Sequence, residues 1–195
     1  ELQLIYNRPD CVLGVGCERG TEPEELIVLA KKAIAASGVR KSAFACVASL
    51  NLKADEPAIH GVAAHLNVPI RFADAKTLEK QANRLANPSD IVFAEVGCHG
   101  VAEGAALAAV GAKGELIVEK QKSKRATVAI ARAPHVVDAS GFGHPQGHLS
   151  VVGIGPGSDD WRSPEVSKLV SQATDLVGYS LYLDLLGALT TDKNR

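Results

Sequence analysis

Methionine is absent from all 195 residues, position 1 included. The numbering is therefore expected to begin inside a longer protein, with residues 1–9 as the remnant of a preceding region. Aromatic residues make up 4% of the chain, with a single Trp. Ala, Val and Gly dominate instead, which suits helices packed closely on a parallel-type sheet better than an all-β sandwich. No apolar run approaches the ~18 residues that cross a bilayer. No basic-then-apolar leader opens the chain, so neither a membrane span nor a secretory signal is expected. Neither sign of charge dominates: 21 Lys and Arg face 22 Asp and Glu, for a formal net charge of -1. A globally basic nucleic-acid-binding surface is not expected, although a local basic patch remains open. Disulfide and metal spacings are missing too. Cys11, Cys17, Cys46 and Cys98 form no C-x-x-C pair, and a chain of this length needs no cross-links. They read as reduced thiols of a cytoplasmic protein.

What is present is globular composition, with 46% hydrophobic and 22% charged residues, which argues against intrinsic disorder. Residues 11–16 form a short apolar run, a buried strand. Thr21 followed by Glu24, with Pro23 between, reads as a capping box. It opens a helix with Leu26, Leu29, Ala33 and Ile34 on one face, stopped by Gly38. A second strand is expected over 43–48. Asp55 then caps a helix facing inward through Ile59, Val62, Ala63 and Leu66. Residues 69–72 make a third strand, and Asp74 caps a helix carrying Leu78, Ala82 and Leu85. Another helix is expected from about His99 to Val110. Strands over 115–119 and 126–132 form an antiparallel hairpin at one edge. The sum is a three-layer α/β/α domain over 10–132 with a mostly parallel, mixed sheet.

The Gly-, Pro- and His-rich stretch 133–148 reads as a linker. Beyond it, strands near 149–154 and 175–178 and helices near 164–173 and after Tyr179 suggest the truncated βαβα start of a second α/β domain over 149–195.

Several stretches carry chemistry, each beside a plainer alternative. Gly14, Gly16, Cys17, Arg19 and Gly20 lie between a strand and a helix N-terminus, where backbone N–H groups favour anions. Arg19 adds a fork suited to carboxylate. A plain strand-to-helix turn is the alternative, and G-x-G-x-x-G is not matched. Ser49, Lys53 and Glu56 follow the second strand, at the carboxyl edge where open α/β sheets bind ligands. The alternative is a solvated loop. Gly97, Gly100 and Gly104 leave one helix face bare, open to a strand or a flat ligand. Cys98 and His99 lack partners at metal-ligand spacing, so His99 reads as structural and no metal site is expected. Glu103 sits in a helix first turn, where a carboxylate is favourable anyway. Lys120, Lys122, Lys124 and Arg125 crowd a hairpin tip, either as a solvated turn or as a lure for a polyanion. Gly153, Gly155 and Gly157 follow an apolar strand, a weak small-molecule signature. No G-x-S-x-G, P-loop lysine or H-E-x-x-H occurs.

Taken together, LGVGCERGT (13–21), ASLNLKADEP (48–57), VGCHGVAEGAAL (96–107) and VEKQKSKRATVAIA (118–131) resemble the C-terminal domain of the CbiG/CobE family of cobalamin biosynthesis. Residues 149–186 resemble the start of a precorrin-3B methyltransferase of the CobJ/CbiH type. The resemblance implies a precorrin or corrin intermediate, a flat macrocycle edged with carboxylates, as ligand. It also implies opening of the cobalt-precorrin-5A lactone with loss of acetaldehyde, or simple binding of an intermediate. Gly14, Gly16, Cys17, Arg19, Gly20, Ser49, Lys53, Gly97, Gly100 and Lys120 become candidate substrate contacts. Glu56 and Glu103 become candidate general bases, with an oxyanion site near Gly97–Gly100. No cofactor is expected on the first domain. Gly153, Gly155 and Gly157 correspond to the S-adenosylmethionine loop of a complete methyltransferase. Other enzymes of the pathway are candidate partners.

Overall fold

The computed structural model describes residues 8–147 and 149–195. The expected remnant over 1–9 falls mostly outside them, as does His148 of the expected linker. The chain divides into two units, Glu1–Gln146 and Gly147–Arg195.

The first unit is a three-layer α/β sandwich. Its strands are β1 (Cys11–Cys17), β2 (Phe44–Leu50), β3 (Ile70–Ala73), β4 (Glu115–Lys122) and β5 (Ala126–Arg132). They lie in the order β3-β2-β1-β5-β4. β1, β2 and β3 run parallel, whereas β5 is antiparallel to both β1 and β4. The expected mixed sheet with a hairpin edge is what forms. β1 and β2 read as continuous apolar runs because both of their faces are covered. Helices α1 (Pro23–Ser37) and α2 (Pro57–Leu66) cover one face. There Leu26, Leu29, Ile59 and Val62 join Leu13, Val15, Val47 and Ile130 in one core. Short helices α3 (Ala75–Glu79) and α4 (Asp90–Val96) precede α5 (Val101–Val110). On the other face Ala105, Ala106 and Val110 of α5 pack with Val12, Cys46, Ala48 and Ala131. Leu13 and Val12 go to opposite cores because successive strand side chains alternate.

Gly14 and Gly16 lie inside β1, not in a ligand loop. A Cβ on Gly14 would stand 1.9 Å from the Ala102 carbonyl oxygen and 2.9 Å from Ala106 Cβ. The glycine is there so that α5 can lie directly on the strand.

Local signals fared unevenly. Asp74 caps α3, accepting the Thr77 N–H at 2.8 Å. Thr21 does not cap α1; Glu22 holds that position without a side-chain bond. The Thr21 hydroxyl donates to the Glu18 carbonyl at 2.8 Å instead. Asp55 does not cap α2, because Arg19 draws its charge away and Glu56 occupies the N-cap position. The helix expected around Leu78, Ala82 and Leu85 breaks into α3 and a 3-10 turn, Ala82–Arg84. α4 is an addition: its DIVFAEV sequence buries no residue, so it carries no amphipathic signal. Gly97 ends it at φ 79, which delays the start of α5 to Val101.

The segment 133–146 is not a free linker. Ala133, Val137 and Phe142 are buried in the α5-side core. Phe72 and His144 exchange two backbone hydrogen bonds of 2.9 Å. This strap satisfies backbone groups that the outer edge of β3 would otherwise expose.

The second unit holds α6 (Pro164–Gln172) and α7 (Ser180–Asp184). The strands expected over 149–154 and 175–178 do not form. Among the described residues this unit has no strand, only an isolated Asp175–Asn194 bridge. Val151 is 90% and Val177 99% exposed, and a strand without neighbours is not stable in water. Among the described residues no single helix is long and apolar enough to cross a membrane.

Candidate functional site

β1, β2 and β3 are parallel, so their carboxyl ends share one edge of the sheet, where open α/β folds bind ligands. The loop after β1 carries Arg19 and Gly20, and the loop after β2 carries Lys53, Asp55 and Glu56. Thr127, at the start of β5, pairs with Gly16. The Val101 side chain, opening α5, comes within 3.3 Å of where a Gly16 Cβ would stand.

Arg19 ties the first two loops. Its Nη1 donates to both Asp55 carboxylate oxygens at 2.8 Å and to Glu56 Oε1 at 3.2 Å. Its Nη2 donates to the Leu52 carbonyl at 2.9 Å. The Arg19 hydrogen bond, ahead of its charge, holds the Asp55 carboxyl below its ordinary range. The Arg19 and Asp55 side chains are both about two-thirds exposed, at 63% and 66%. An exposed ion pair of this kind is weak. Arg125 clasps the loop, donating to Glu18 Oε2 at 3.1 Å and the Gly20 carbonyl at 3.0 Å.

Both expected bases are engaged elsewhere. Glu56 is buried, with Oε1 on Arg19 and Oε2 accepting the Gly20 N–H at 3.0 Å. It fastens loop to loop. Glu103 is 1% exposed. Its carboxylate accepts the Asn87 N–H at 3.0 Å, the Asn87 side-chain amide at 3.0 Å and the Lys120 N–H at 2.8 Å. Burial raises this carboxyl, but those bonds, with one from the Ala86 backbone, outweigh burial and hold it below the ordinary range. A carboxylate so satisfied and so buried is a poor proton acceptor for a ligand.

Other candidates are structural as well. The Ser49 hydroxyl is buried and donates to the Val15 carbonyl at 2.8 Å. Lys120 Nζ donates to the Asn87 carbonyl at 2.7 Å. The glycine face of α5 is not bare: Leu85 lies 3.1 Å from a Cβ on Gly100, and Leu78 lies 3.4 Å from one on Gly104. Gly97 is a helix C-cap. Cys17 is half-buried; burial raises its thiol first, Glu56 adds to the rise, and Lys53 opposes it. Burial pushes Cys11 to about 11 and Cys46 to about 12, so neither is a nucleophile.

One constellation escaped the sequence reading. His99 Nδ1 lies 2.8 Å from Glu79 Oε1, and the His99 backbone N–H donates to Glu79 Oε2 at 2.9 Å. The imidazole stacks on Phe93, with ring centroids 4.4 Å apart. Glu79 is 20 residues away in sequence, and no local spacing announces the pair.

In the second unit, Gly153 and Gly155 line a mainly apolar cleft of about 920 Å³ with Val151, Leu176 and Tyr182. Gly155 and Gly157 have φ 71 and 109, conformations that suit glycine.

The family model described as "Cobalamin synthesis G C-terminus" matches residues 11–131. The chain belongs to this family. It is 57% identical over 120 residues to Protein CobE of a Sinorhizobium species, covering 62% of this chain and 78% of that protein. The crystal structure of a CobE protein from the cobalamin pathway superposes with a TM-score of 0.60 at 32% identity, covering 66% of this chain and 94% of that one. A cobalt-precorrin-5A hydrolase of Priestia megaterium is 28% identical over 132 residues. This chain spans 68% of its own length in that match but only 34% of the hydrolase. Thirty-eight residues are 50% identical to the cobalamin biosynthesis protein CobIJ of Mycobacterium tuberculosis, 20% of this chain and 8% of that protein. As a member of the CbiG C-terminal family, the chain has its role in cobalamin biosynthesis. The mixed five-stranded α/β fold agrees with the CobE structure.

Proposed function

We propose that the first unit binds a carboxylate-edged corrin intermediate at the carboxyl edge of its sheet and opens the lactone of cobalt-precorrin-5A, with loss of acetaldehyde. The observation that carries the binding step is the exposed Arg19 guanidinium, whose partner Asp55 is itself exposed; so weak a pair leaves Arg19 open to exchange. A substrate carboxylate offers the same two oxygens that Asp55 presents to Arg19 Nη1. Lys53, half-buried in the adjoining loop, adds positive charge. The lactone step is taken from the likeness to the hydrolase, of which this chain spans about a third.

A second reading is a non-catalytic module that holds an intermediate for other enzymes of the pathway. The engagement of Glu56 and Glu103 favours it. For the second unit, the resemblance of residues 149–186 to the start of a precorrin-3B methyltransferase finds a hint in the 38-residue likeness to CobIJ. Gly153 and Gly155 beside the apolar cleft, with the left-handed turns at Gly155 and Gly157, fit a small-molecule cradle. S-adenosylmethionine supplies an electrophilic methyl group when bound to such an enzyme.

The test mixes the purified chain with cobalt-precorrin-5A lactone and follows the corrinoid absorption spectrum and acetaldehyde together. A saturable spectral shift with acetaldehyde supports the hydrolase reading. A shift without acetaldehyde leaves the binding module. No shift rejects both.

A further inference from the structure

Resting on the lactone-opening reading, we propose that His99 is the acid–base residue that activates water, and that Glu79 is its positioning residue. With Glu56 and Glu103 engaged, the site needs another proton acceptor. The His99 geometry supplies one.

Both Glu79 oxygens are committed to His99, one to its backbone N–H and one to Nδ1. The Glu79 carboxyl is held below its ordinary range, by the His99 backbone bond first, with burial opposing it. An ionised carboxylate only accepts hydrogen bonds, so Nδ1 carries the hydrogen. In the neutral ring Nε2 then has the free lone pair. Phe93 stacks on the ring at an interplanar angle of 24° and supports that orientation. The His99 carbonyl also accepts the Ser89 N–H at 2.8 Å, pinching together the ends of the α4 excursion.

The Nε2 edge carries no direct hydrogen bond to a charged side chain. Its nearest charged neighbour is Asp90 Oδ1 at 3.6 Å, beyond a direct hydrogen bond, on a fully exposed side chain. The His99 side chain is 28% exposed, so the imidazole is not sealed in the core. Only Gly100 separates His99 from Val101, which packs at the Gly16 end of β1. The carboxylate–Nδ1–H arrangement with Nε2 facing outward is the one that orients a histidine for proton transfer in acyl chemistry.

The step balances without an oxidant or reductant. Nε2 takes a proton from water as the water oxygen bonds to the lactone carbonyl carbon, and the carbonyl electron pair moves onto its oxygen. That pair returns to re-form C=O, the ring C–O bond breaks, and the imidazolium gives its proton to the departing alkoxide. One water is consumed, and a carboxylic acid and an alcohol are formed.

The experiment uses the full chain, cobalt-precorrin-5A lactone, and the variants His99→Ala and Glu79→Gln. Lactone opening is followed by single-turnover kinetics, and affinity by corrinoid absorbance. His99→Ala is expected to lower kcat by about 100-fold or more while affinity stays within about twofold. Added imidazole restores part of that loss, which a purely structural role would not allow. Glu79→Gln lowers kcat by about tenfold or more and shifts the ¹⁵N resonances of His99 away from the Nδ1–H tautomer. If His99→Ala turns over like wild type, or loses activity without imidazole rescue, the assignment is overturned and lactone opening stands. If wild type binds the lactone without opening it, the hydrolytic reading itself fails and the assignment falls with it.

Discussion

Asn87 gives two hydrogen bonds to the single carboxylate of Glu103, one from its backbone N–H and one from its side-chain amide, each 3.0 Å long. The Lys120 N–H adds a third at 2.8 Å. One buried side chain thereby joins α5, the Asn87–Ser89 turn and β4. Glu103→Leu removes the acceptor and strands those donors. Each buried orphan costs about 1–3 kcal/mol. A loss of about 2–4 kcal/mol is expected in urea unfolding, and a loss under about 0.5 kcal/mol would show that the tie is idle.

The same contact predicts an acid limb. The Glu103 carboxyl is lowered in the folded chain because its hydrogen bonds outweigh burial. Its contribution is therefore complete above the unfolded value of about 4.3 and is lost as pH falls through the folded value. Glu25 and Glu79 are lowered too, Glu25 by the Ser123 hydroxyl first and Glu79 by the His99 backbone first. Tm should fall steeply below about pH 4. Glu103→Gln should start from a lower Tm at neutral pH and fall less steeply on acidification. Parallel acid limbs in the two proteins would count against this role.

Arg19 is held by Asp55, so in the proposed binding mode Asp55 competes with the ligand carboxylate. Asp55→Asn should tighten corrinoid binding several-fold, and Arg19→Gln should weaken it about tenfold, as for one charge-assisted bond. Absorbance titration at low salt reads both. Changes of the same sign in both variants would exclude the exchange.

Gly14 has no room for a side chain, since a Cβ would meet the Ala102 carbonyl at 1.9 Å. Gly14→Ala is expected to cost about 1–3 kcal/mol or more by overpacking, and Gly14→Val to prevent folding. Thermal unfolding and expression as soluble protein report on both. A Gly14→Ala chain as stable as wild type would mean that α5 can shift off β1 freely.

Phe142, 8% exposed, anchors the 133–146 strap in the α5-side core. Phe142→Ala should cost about 3 kcal/mol. Hydrogen exchange at Phe72 N–H, bonded to His144, should accelerate with it. An unchanged Phe72 amide would make the strap independent of its anchor.

The layered fold was legible because its signals are local. The apolar run of β1, the 3.6-residue spacing of Leu26, Leu29 and Ala33, and the Asp74 cap act within a few neighbours. One expected cap failed because a distant charge overrode a local preference. Asp55 had the chemistry of a cap, but Arg19, 36 residues away, captures it. The strands expected in the second unit failed for another reason: β-pairing needs a neighbour, and Val151 and Val177 have none among the described residues.

By itself the sequence determined the α/β layering, the hairpin edge and the family strings, since periodicity and motif order are properties of the chain read in line. Tertiary structure decided which polar groups are still available for chemistry. Glu103 meets Asn87 across 16 residues, Glu56 meets Gly20 across 36, and His99 meets Glu79 across 20. A carboxylate in a string of letters looks free to act. Only the folded chain shows which hydrogen bonds have already claimed it, because burial and pairing depend on proximity in space rather than along the chain.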